Sequence, residues 1–221
     1  MSVAESTRAV SSTTGADPLL VTRDGAVAVL TLNRPAARNS LAENLLDALA
    51  GALAALSTDA AVKAIVLTGA PPAFCAGHDL REMTDARSGA DRGRAYFAAI
   101  FEKCSGVMQA IVNCPKPVIA AVEGIAAAAG CQLVATCDLA VASETARFTT
   151  PGVNIGLFCS TPMVALTRNV PPKHAMEMLL TGDMVDAHRA EQIGLVNRVA
   201  PAGDALDQAL ALARPLSRIH L

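Results

Sequence analysis

Short apolar segments alternate along this chain with longer amphipathic ones, and this alternation restricts the fold more than any other feature. The run VKAIVLTG at 62–69 is almost continuously apolar, which is typical of a strand buried on both faces. AVAVLTL at 26–32 and PVIAAV at 117–122 are further strands, and helical spacing of apolar residues lies between the strands. Strands joined through helices need crossover connections, so the pattern predicts an α/β fold with a mainly parallel sheet.

Helix boundaries can be predicted from capping residues and prolines. A helix is expected over 41–57, with Ser40 placed to cap it, and another over 91–113, ending before the prolines of CPKP. Asp79 is expected to cap a short helix that follows FCAGHDL. DLAVAS, ARFTT and LVNRVAP are short extended segments, and beyond residue 160 the pattern is mostly helical.

Composition excludes several classes of function. The formal net charge of −2, with no cluster of Lys or Arg, disfavours nucleic-acid binding. No apolar run approaches the roughly 20 residues that span a bilayer, and the polar start at 1–18 lacks the apolar centre of a signal peptide. None of the six cysteines forms a C-x-x-C pair, so no metal site is expected. These features predict a cytoplasmic protein with no membrane partner, whose thiols are mostly buried.

Two strand-to-helix junctions share an unusual run of small residues. IVLTGAPPAFCAGHDL at 65–80 is one, and the second continues from PVIAAV into GIAAAAGCQL at 124–133. A helix start carries free N–H groups, and small side chains let a ligand approach them closely. Two such groups converging on one carbonyl oxygen would stabilise an enolate or related oxyanion. The alternative interpretation is that the small residues only permit tight helix–sheet packing.

Five blocks in order carry a resemblance to a known family: LTLNRPAARNSL, AFCAGHDLREM, KPVIAAVEGIAAAAGCQLVATCDLAVAS, FTTPGVNIGL and LLTGDMVDAHRAEQIGLVNRVAP. Together they resemble the crotonase superfamily, the enoyl-CoA hydratase/isomerase family, from about residue 20 to the end. AGHDL, the alanines in the second loop and TPGVNIGLF are most similar to its enoyl-CoA hydratase domain-containing branch.

The resemblance implies a crotonase-like ββα spiral that carries helices. It implies a loose tail over 1–18, a spiral core with the acyl-CoA site over 19–160, and a helical region involved in oligomerisation over 161–221. Homo-trimers or hexamers are expected. Family members usually continue for some tens of residues with one more helix, so the C-terminal region is expected to be shortened here.

The resemblance also implies a site for an acyl-CoA thioester, with coenzyme A as part of the substrate and no separate cofactor. Its oxyanion hole falls on the main-chain N–H groups of His78 and Ala129, and its chemistry is lyase-type in fatty-acid metabolism. The substrate-contacting positions carried over by motif are Ala37, Arg38, Ala76, His78, Asp79, Leu80, Arg81 and Ala129.

This chain departs from the family at both hydratase glutamates, since Gln132 and Gly152 stand in their places. Gln132 can orient a water but cannot exchange a proton near pH 7, so two-glutamate hydration is not expected. His78 can titrate near neutrality, and malonyl-type decarboxylases of the family carry the same GHD in the first loop. The alternatives are therefore a decarboxylase, a non-catalytic acyl-CoA binder and, disfavoured by the acidic charge, an RNA-binding relative.

The remaining candidate side chains are assigned places in the fold and no catalytic role. Those expected near the thioester are Glu82, Asn154 and Cys159, of which Cys159 is taken as a small buried residue. His174 and His188 are expected at the surface. Met176 and Met178 are expected in the core.

Overall fold

The computed structural model describes residues 17–216, so the predicted tail lies almost wholly outside the described residues, as do positions 217–221 of the last predicted helix. The strands in this range are β1 (Leu19–Asp24), β2 (Val27–Leu32), β3 (Ala64–Gly69), β4 (Val118–Val122), β5 (Ile125–Ala127), β6 (Leu139–Ser143), β7 (Arg147–Thr149), β8 (Val185–Asp186) and β9 (Arg198–Ala200). The helices are α1 (Glu43–Thr58), α2 (Leu80–Ala86), α3 (Arg94–Val112), α4 (Ala129–Thr136), α5 (Ser160–Asn169), α6 (Pro172–Thr181), α7 (Ala187–Gln192) and α8 (Ala205–Leu216).

Six strands form the main sheet in the order β1-β2-β3-β4-β6-β9. Only β1 pairs antiparallel, and each later neighbour is parallel, with Leu30 opposite Leu67 and Leu67 opposite Ala120. The predicted parallel α/β sheet is therefore confirmed. β1 was not predicted because its middle residues are all exposed, so it lacks the apolar signal of a buried strand.

Helices cover both faces of this sheet. α1 and α3 bury their leucines, isoleucines and valines against one face, whereas the small Ala209 and Ala213 of α8 pack closely on the other. β3 is buried along its whole length, as its sequence predicts. Burial on both sides fixes where β3 and β4 end, and both ends lead into the candidate site.

A second, smaller sheet has the order β5-β7-β8. β5 was not predicted because it lies within the alanine run of the second junction. The helices α5 to α8 make the C-terminal part mostly helical, as expected. Within residues 17–216 no helix combines the length and apolar character needed to cross a membrane.

The capping predictions have different outcomes. Asp79 caps α2 by accepting a hydrogen bond from the Arg81 N–H at 3.0 Å. Ser40 does not cap α1, which begins at Glu43 after Ala42. A carboxylate from α2 takes that role, because Glu82 Oε2 accepts from the Glu43 N–H at 3.0 Å. Ser40 is instead turned toward Asp79.

Candidate functional site

The first junction, residues 70–79 between β3 and α2, is an extended loop held on one side by the segment that precedes α1. Leu41 donates its N–H to Gly77 O at 2.7 Å and accepts from the Asp79 N–H at 3.2 Å. The two bonds flank His78, which forms a parallel bridge with Leu41. A residue flanked in this way directs its own N–H away from the partner strand. The His78 N–H therefore points to the other side of the loop.

On that other side lies the second junction. Cys75 donates to Ile125 O at 3.1 Å and accepts from the Ala127 N–H at 2.9 Å, so the first loop pairs with β5. Gly130, in the first turn of α4, packs on the same loop: a Cβ built there would lie 2.1 Å from Cys75 O. Only glycine allows the helix start to approach the loop backbone so closely.

The two junctions also pack together at Gly77, whose φ of +92° favours glycine. A Cβ built on Gly77 would lie 3.0 Å from Ala127 O and 3.4 Å from the main-chain nitrogen of Ala129. The residue after Gly77 is His78, and Ala129 is the first residue of α4. Neither N–H, of His78 or of Ala129, donates to an acceptor on another residue in the described part of the chain.

Ala128, just before α4, has φ 50° and ψ −116°, a conformation that favours glycine. Its N–H donates to Thr149 O at 2.9 Å, and its carbonyl accepts from the Gln132 N–H at 3.0 Å. The turn at Ala128 connects β5 to α4, and these two bonds tie it to β7 on one side and to α4 on the other. The turn directs the Ala129 N–H out of the α4 start.

A buried ion pair fixes the far end of the first loop. Asp79, with 7% of its surface exposed, lies 2.9 Å from Arg34 Nη2 and also accepts from Ser40 Oγ at 3.1 Å. Burial alone would raise the pKa of Asp79, but the hydrogen bonds from Arg34, the Arg81 N–H and Ser40 outweigh it and lower that pKa. Asp79 is therefore held ionised.

Asn39 links the same loop to the chain before α1. Its buried side chain accepts from the Arg34 N–H at 2.9 Å and donates to Ala70 O at 2.8 Å and Ala73 O at 2.6 Å. Sequence reasoning missed both Arg34 and Asn39, although they lie within the RPAARN stretch. The signal in the sequence was chemical: this stretch carries a cation and an amide, and the first junction carries one carboxylate, Asp79, that needs a partner if it is buried.

Two positions matter for acid–base chemistry. Gln132, on the first turn of α4, is 7% exposed, and its Oε1 is buried without a hydrogen-bond partner among the described residues. Gly152 has no room for a side chain, because a Cβ there would lie 2.5 Å from Leu157 O and 2.7 Å from Cys159 Sγ. The surrounding loop therefore leaves no space for a carboxylate side chain at position 152.

The His78 ring packs edge-to-face on Phe101 of α3, with ring centroids 5.1 Å apart. Its Nε2 is buried and has no hydrogen-bond partner in the part of the chain that the structure describes. Burial lowers the pKa of His78, because a charged imidazolium loses its hydration there. The ring is therefore neutral near pH 7.

The other positions predicted to contact substrate lie in or beside the first junction, and most of them are at least partly exposed. Ala37 and Ala76 are half-buried, and Ala76 donates to Arg38 O at 3.0 Å. Arg38 and Arg81 are exposed, and Leu80 exposes 68% of its surface at the start of α2.

The residues that were assigned no catalytic role mostly lie where they were expected. Glu82 bonds the Glu43 N–H and the Tyr96 hydroxyl, which is a structural role. Cys159 is half-buried and precedes α5. Asn154 and His188 are exposed, and His174 is half-buried. Met178 is buried but Met176 is exposed, so only one of the two methionines lies in the core.

The remaining cysteines behave as predicted from their apolar surroundings. Cys75, Cys104, Cys131 and Cys137 are buried and free. Burial raises the pKa of the Cys75 thiol to about 12 and that of Cys104 to about 11, so neither is a thiolate at neutral pH. Across residues 17–216, no group of three His, Cys, Asp or Glu side chains could hold a metal ion.

A cavity of about 590 Å³ opens beside the two junctions, between α3, α4 and α5. Phe101 and Gln132 line its near end, so it adjoins the His78 ring. Arg168 and Asn169 of α5 line it as well. Its volume falls in the range of small-molecule sites.

Comparison with known proteins places this geometry in a family. The sequence profile described as Enoyl-CoA hydratase/isomerase matches residues 22–220. Enoyl-CoA hydratase domain-containing protein 3, mitochondrial, is 45% identical over 190 residues in Homo sapiens and 44% in Mus musculus. The match covers 86% of this chain and 61% of the human protein, so the chain spans less than two thirds of that relative's length.

Solved structures share the fold. A crystal structure of enoyl-CoA hydratase from Mycobacterium smegmatis is 51% identical with a TM-score of 0.84, covering 90% of this chain and 76% of that one. The human enoyl Coenzyme A hydratase domain-containing protein 3 is 41% identical with a TM-score of 0.84, covering 91% and 78%. The expected crotonase-like fold and branch are confirmed.

The prediction of a cytoplasmic protein is wrong, because the human and mouse relatives are named as mitochondrial proteins. That prediction depended on the free cysteines, the lack of a long apolar run and the polar start at 1–18, most of which lies outside the described residues. The matched profile, the relatives and the shared fold agree on the family itself. This chain belongs to the enoyl-CoA hydratase/isomerase family.

Proposed function

We propose that this protein binds an acyl-CoA thioester and stabilises its enolate with the main-chain N–H groups of His78 and Ala129. One observation carries the proposal: the two junctions pack together at Gly77, where a built Cβ would lie 3.4 Å from the Ala129 nitrogen, and both N–H groups lack an acceptor among the described residues. Unpaired N–H groups in a buried corner are costly unless something accepts from them. A thioester oxygen is the acceptor we infer.

The enolate hypothesis follows from what such donors can do. They favour an oxygen that gains negative charge, and each is commonly worth about 3 kcal/mol in acyl chemistry. Main-chain donors held by Leu41 and β5 need no rearrangement during the reaction. Family membership supports the same ligand class, and we expect the substrate to come from fatty-acid metabolism.

Hydration of a double bond is not the reaction that this site supports. It needs groups that give and take protons at the two carbons, and such help is commonly worth about 10²- to 10⁴-fold. Gln132 has no proton to exchange near pH 7. Gly152 could not be replaced by a glutamate without moving Leu157 and Cys159.

Decarboxylation of a malonyl-type thioester is the reaction that we favour. The bond from Cα to the carboxylate carbon breaks, carbon dioxide leaves, and the electron pair passes to the thioester oxygen as an enolate. A proton from solvent then adds to Cα. No strong base is needed, and the buried, neutral His78 ring offers an Nε2 without a partner, which suits a substrate carboxylate entering an apolar corner.

Three measurements on the purified chain test the proposal together. We expect octanoyl-CoA to bind by calorimetric titration, methylmalonyl-CoA to release carbon dioxide, and crotonyl-CoA to remain unhydrated. Absence of any thioester binding would overturn the proposal. Binding without turnover would support the non-catalytic binder instead, and rapid hydration of crotonyl-CoA would contradict the argument from Gln132 and Gly152.

A variant links the activity to the site. Ala129→Val places two extra methyl groups at a position that is only 2% exposed, and it should weaken octanoyl-CoA binding about tenfold or more. Urea denaturation of the same variant shows whether it still folds. Unchanged binding in a folded Ala129→Val protein would exclude this corner as the thioester site.

A further inference from the structure

The cavity beside the two junctions contains an unusual combination of an apolar wall and one cation. Its walls come from α3, α4 and α5 and include the apolar side chains of Phe101, Met108 and Val164. Phe101 and Val164 are each more than 40% exposed, so this surface has an apolar lining open to a ligand. From Phe101 to Val112 the cavity follows α3 for about 16 Å, at 1.5 Å per residue.

The near end of the cavity adjoins the proposed thioester site. Gln132 lines it and lies one turn beyond Ala129 on α4. Phe101 lines it and also contacts the His78 ring. The Oε1 of Gln132 at this end is a buried acceptor with no donor partner among the described residues. A chain attached to a thioester at His78 and Ala129 would enter the cavity here.

Another end carries Arg168. Asn169 beside it donates to Ala135 O at 2.6 Å and to Ala165 O at 3.1 Å, which fastens the end of α5 to α4. The side chain of Arg168 is exposed and forms no ion pair or hydrogen bond with another residue in the range that the structure describes. Among the described residues that line the cavity, it is the only charged one, and none of them is a carboxylate. The charge of this cavity is therefore suited to an anion.

We propose that the cavity binds the acyl chain of an ω-carboxyacyl-CoA, with the terminal carboxylate on Arg168. This inference rests on the thioester site of the proposed function and names the acyl chain that the site takes: a medium-length chain with a carboxylate at its far end, in addition to any carboxylate on Cα. The apolar wall covers the methylene groups, and the guanidinium offers paired donors that match a carboxylate. A neutral acyl chain would leave the cation without a partner.

The test compares thioesters that differ only at the far end of the chain. Octanoyl-CoA and suberyl-CoA have the same number of acyl carbons, and the pairs hexanoyl-CoA with adipyl-CoA and decanoyl-CoA with sebacyl-CoA vary the length. Calorimetric titration should show one of the ω-carboxy thioesters binding about tenfold more tightly than its neutral counterpart. Arg168→Gln should abolish that preference while leaving octanoyl-CoA binding unchanged. Arg198→Gln, which replaces an exposed arginine on β9 outside the cavity, is the matched control.

Each other outcome overturns a distinct part of the argument. If octanoyl-CoA binds but no ω-carboxy thioester binds more tightly, only the substrate class is wrong. If Arg168→Gln weakens octanoyl-CoA and suberyl-CoA equally, the arginine serves coenzyme A phosphates and the inference fails. If no thioester binds to the wild-type chain, the proposed function and this inference both fail.

Discussion

At the scale of single residues, Ala128 shows how the second junction stores strain. Its φ of 50° with ψ of −116° is a conformation that costs L-residues about 1–3 kcal/mol. Thr149 and Gln132 hold it there through main-chain hydrogen bonds. The surrounding fold thus imposes on an alanine a turn that glycine would adopt freely, and in doing so fixes the direction of the next N–H.

Replacing this alanine should stabilise the protein. Ala128→Gly should raise the free energy of unfolding by about 1 kcal/mol, because relief of strain exceeds the extra freedom of glycine in the unfolded chain. Ala127→Gly, one residue earlier in β5, should instead lower it by about 0.5–1 kcal/mol. Urea denaturation measures both variants, and a loss of stability in Ala128→Gly would show that the turn is unstrained.

His78 makes stability depend on pH. Burial lowers the pKa of its imidazole, so below about pH 6.5, the ordinary histidine pKa, the unfolded chain binds a proton that the folded chain does not. Stability should therefore fall as pH drops from 7.5 toward 5.5. In His78→Asn this part of the fall should be absent. Urea titrations across that range compare the two proteins, and parallel curves would show that the ring titrates normally.

At the scale of elements, the first loop depends on the Arg34–Asp79 pair. Arg34→Ala leaves the Asp79 carboxylate buried without its cation, and should lower the free energy of unfolding by about 3 kcal/mol. Arg23 pairs with Asp59 at the exposed surface, so Arg23→Ala should cost much less. Equal losses in the two variants would mean that the buried pair has no special role.

Gly77 is where the two junctions touch, and a side chain there should separate them. Gly77→Ala combines an unfavourable φ with contacts of 3.0 Å to Ala127 O and Ala128 Cβ. Gly25→Ala is the matched control, because Gly25 also has a positive φ, +59°, but open space around it. We expect both variants to lose stability, measured by urea denaturation, and Gly77→Ala alone to lose octanoyl-CoA binding. Retained binding in Gly77→Ala would contradict the proposed site.

Helices and strands could be predicted where burial imposes a regular spacing of apolar residues. They were missed where the contacts are made by main-chain atoms. β3 and α3 have apolar residues at the spacing of their period, so their places were correct. β5 lies in an alanine run that has no such pattern. The cap at Ser40 was wrong because Asp79, thirty-nine positions away, binds that hydroxyl, and no local rule includes such a partner.

At the scale of the whole molecule, an apolar surface remains around the segment that precedes α5. Ile155 and Leu157 expose 74% and 59% of their surface, and Leu180 and Met184 of the neighbouring α6 region expose 60% and 64%. Residues 151–155 pack on α6, so these side chains belong to one region. Contiguous apolar surface of this kind usually marks an interface.

We expect this region to join copies of the chain into the proposed trimer or hexamer. Ile155→Ser combined with Leu180→Ser should shift the mass in light scattering toward the monomer. Leu20→Ser, on the exposed edge strand β1, alters another exposed apolar residue and should leave the mass unchanged. A wild-type chain that is already monomeric at micromolar concentration would contradict the expectation.

The family and its parallel sheet could be predicted from sequence because five blocks occur in order. The meeting of the two junctions could not, since Cys75 and β5 lie far apart in the chain and pair through main-chain hydrogen bonds, which leave no side-chain pattern. The cavity and its single arginine were also missed, because Phe101 and Arg168 are ordinary residues on two amphipathic helices.

The central claim is that the His78 and Ala129 N–H groups serve one thioester oxygen. A crystal structure of the protein with bound octanoyl-CoA measures this directly. The account predicts that the thioester oxygen lies about 2.7–3.2 Å from both main-chain nitrogens. An oxygen bonded to only one of them, or to neither, would contradict it.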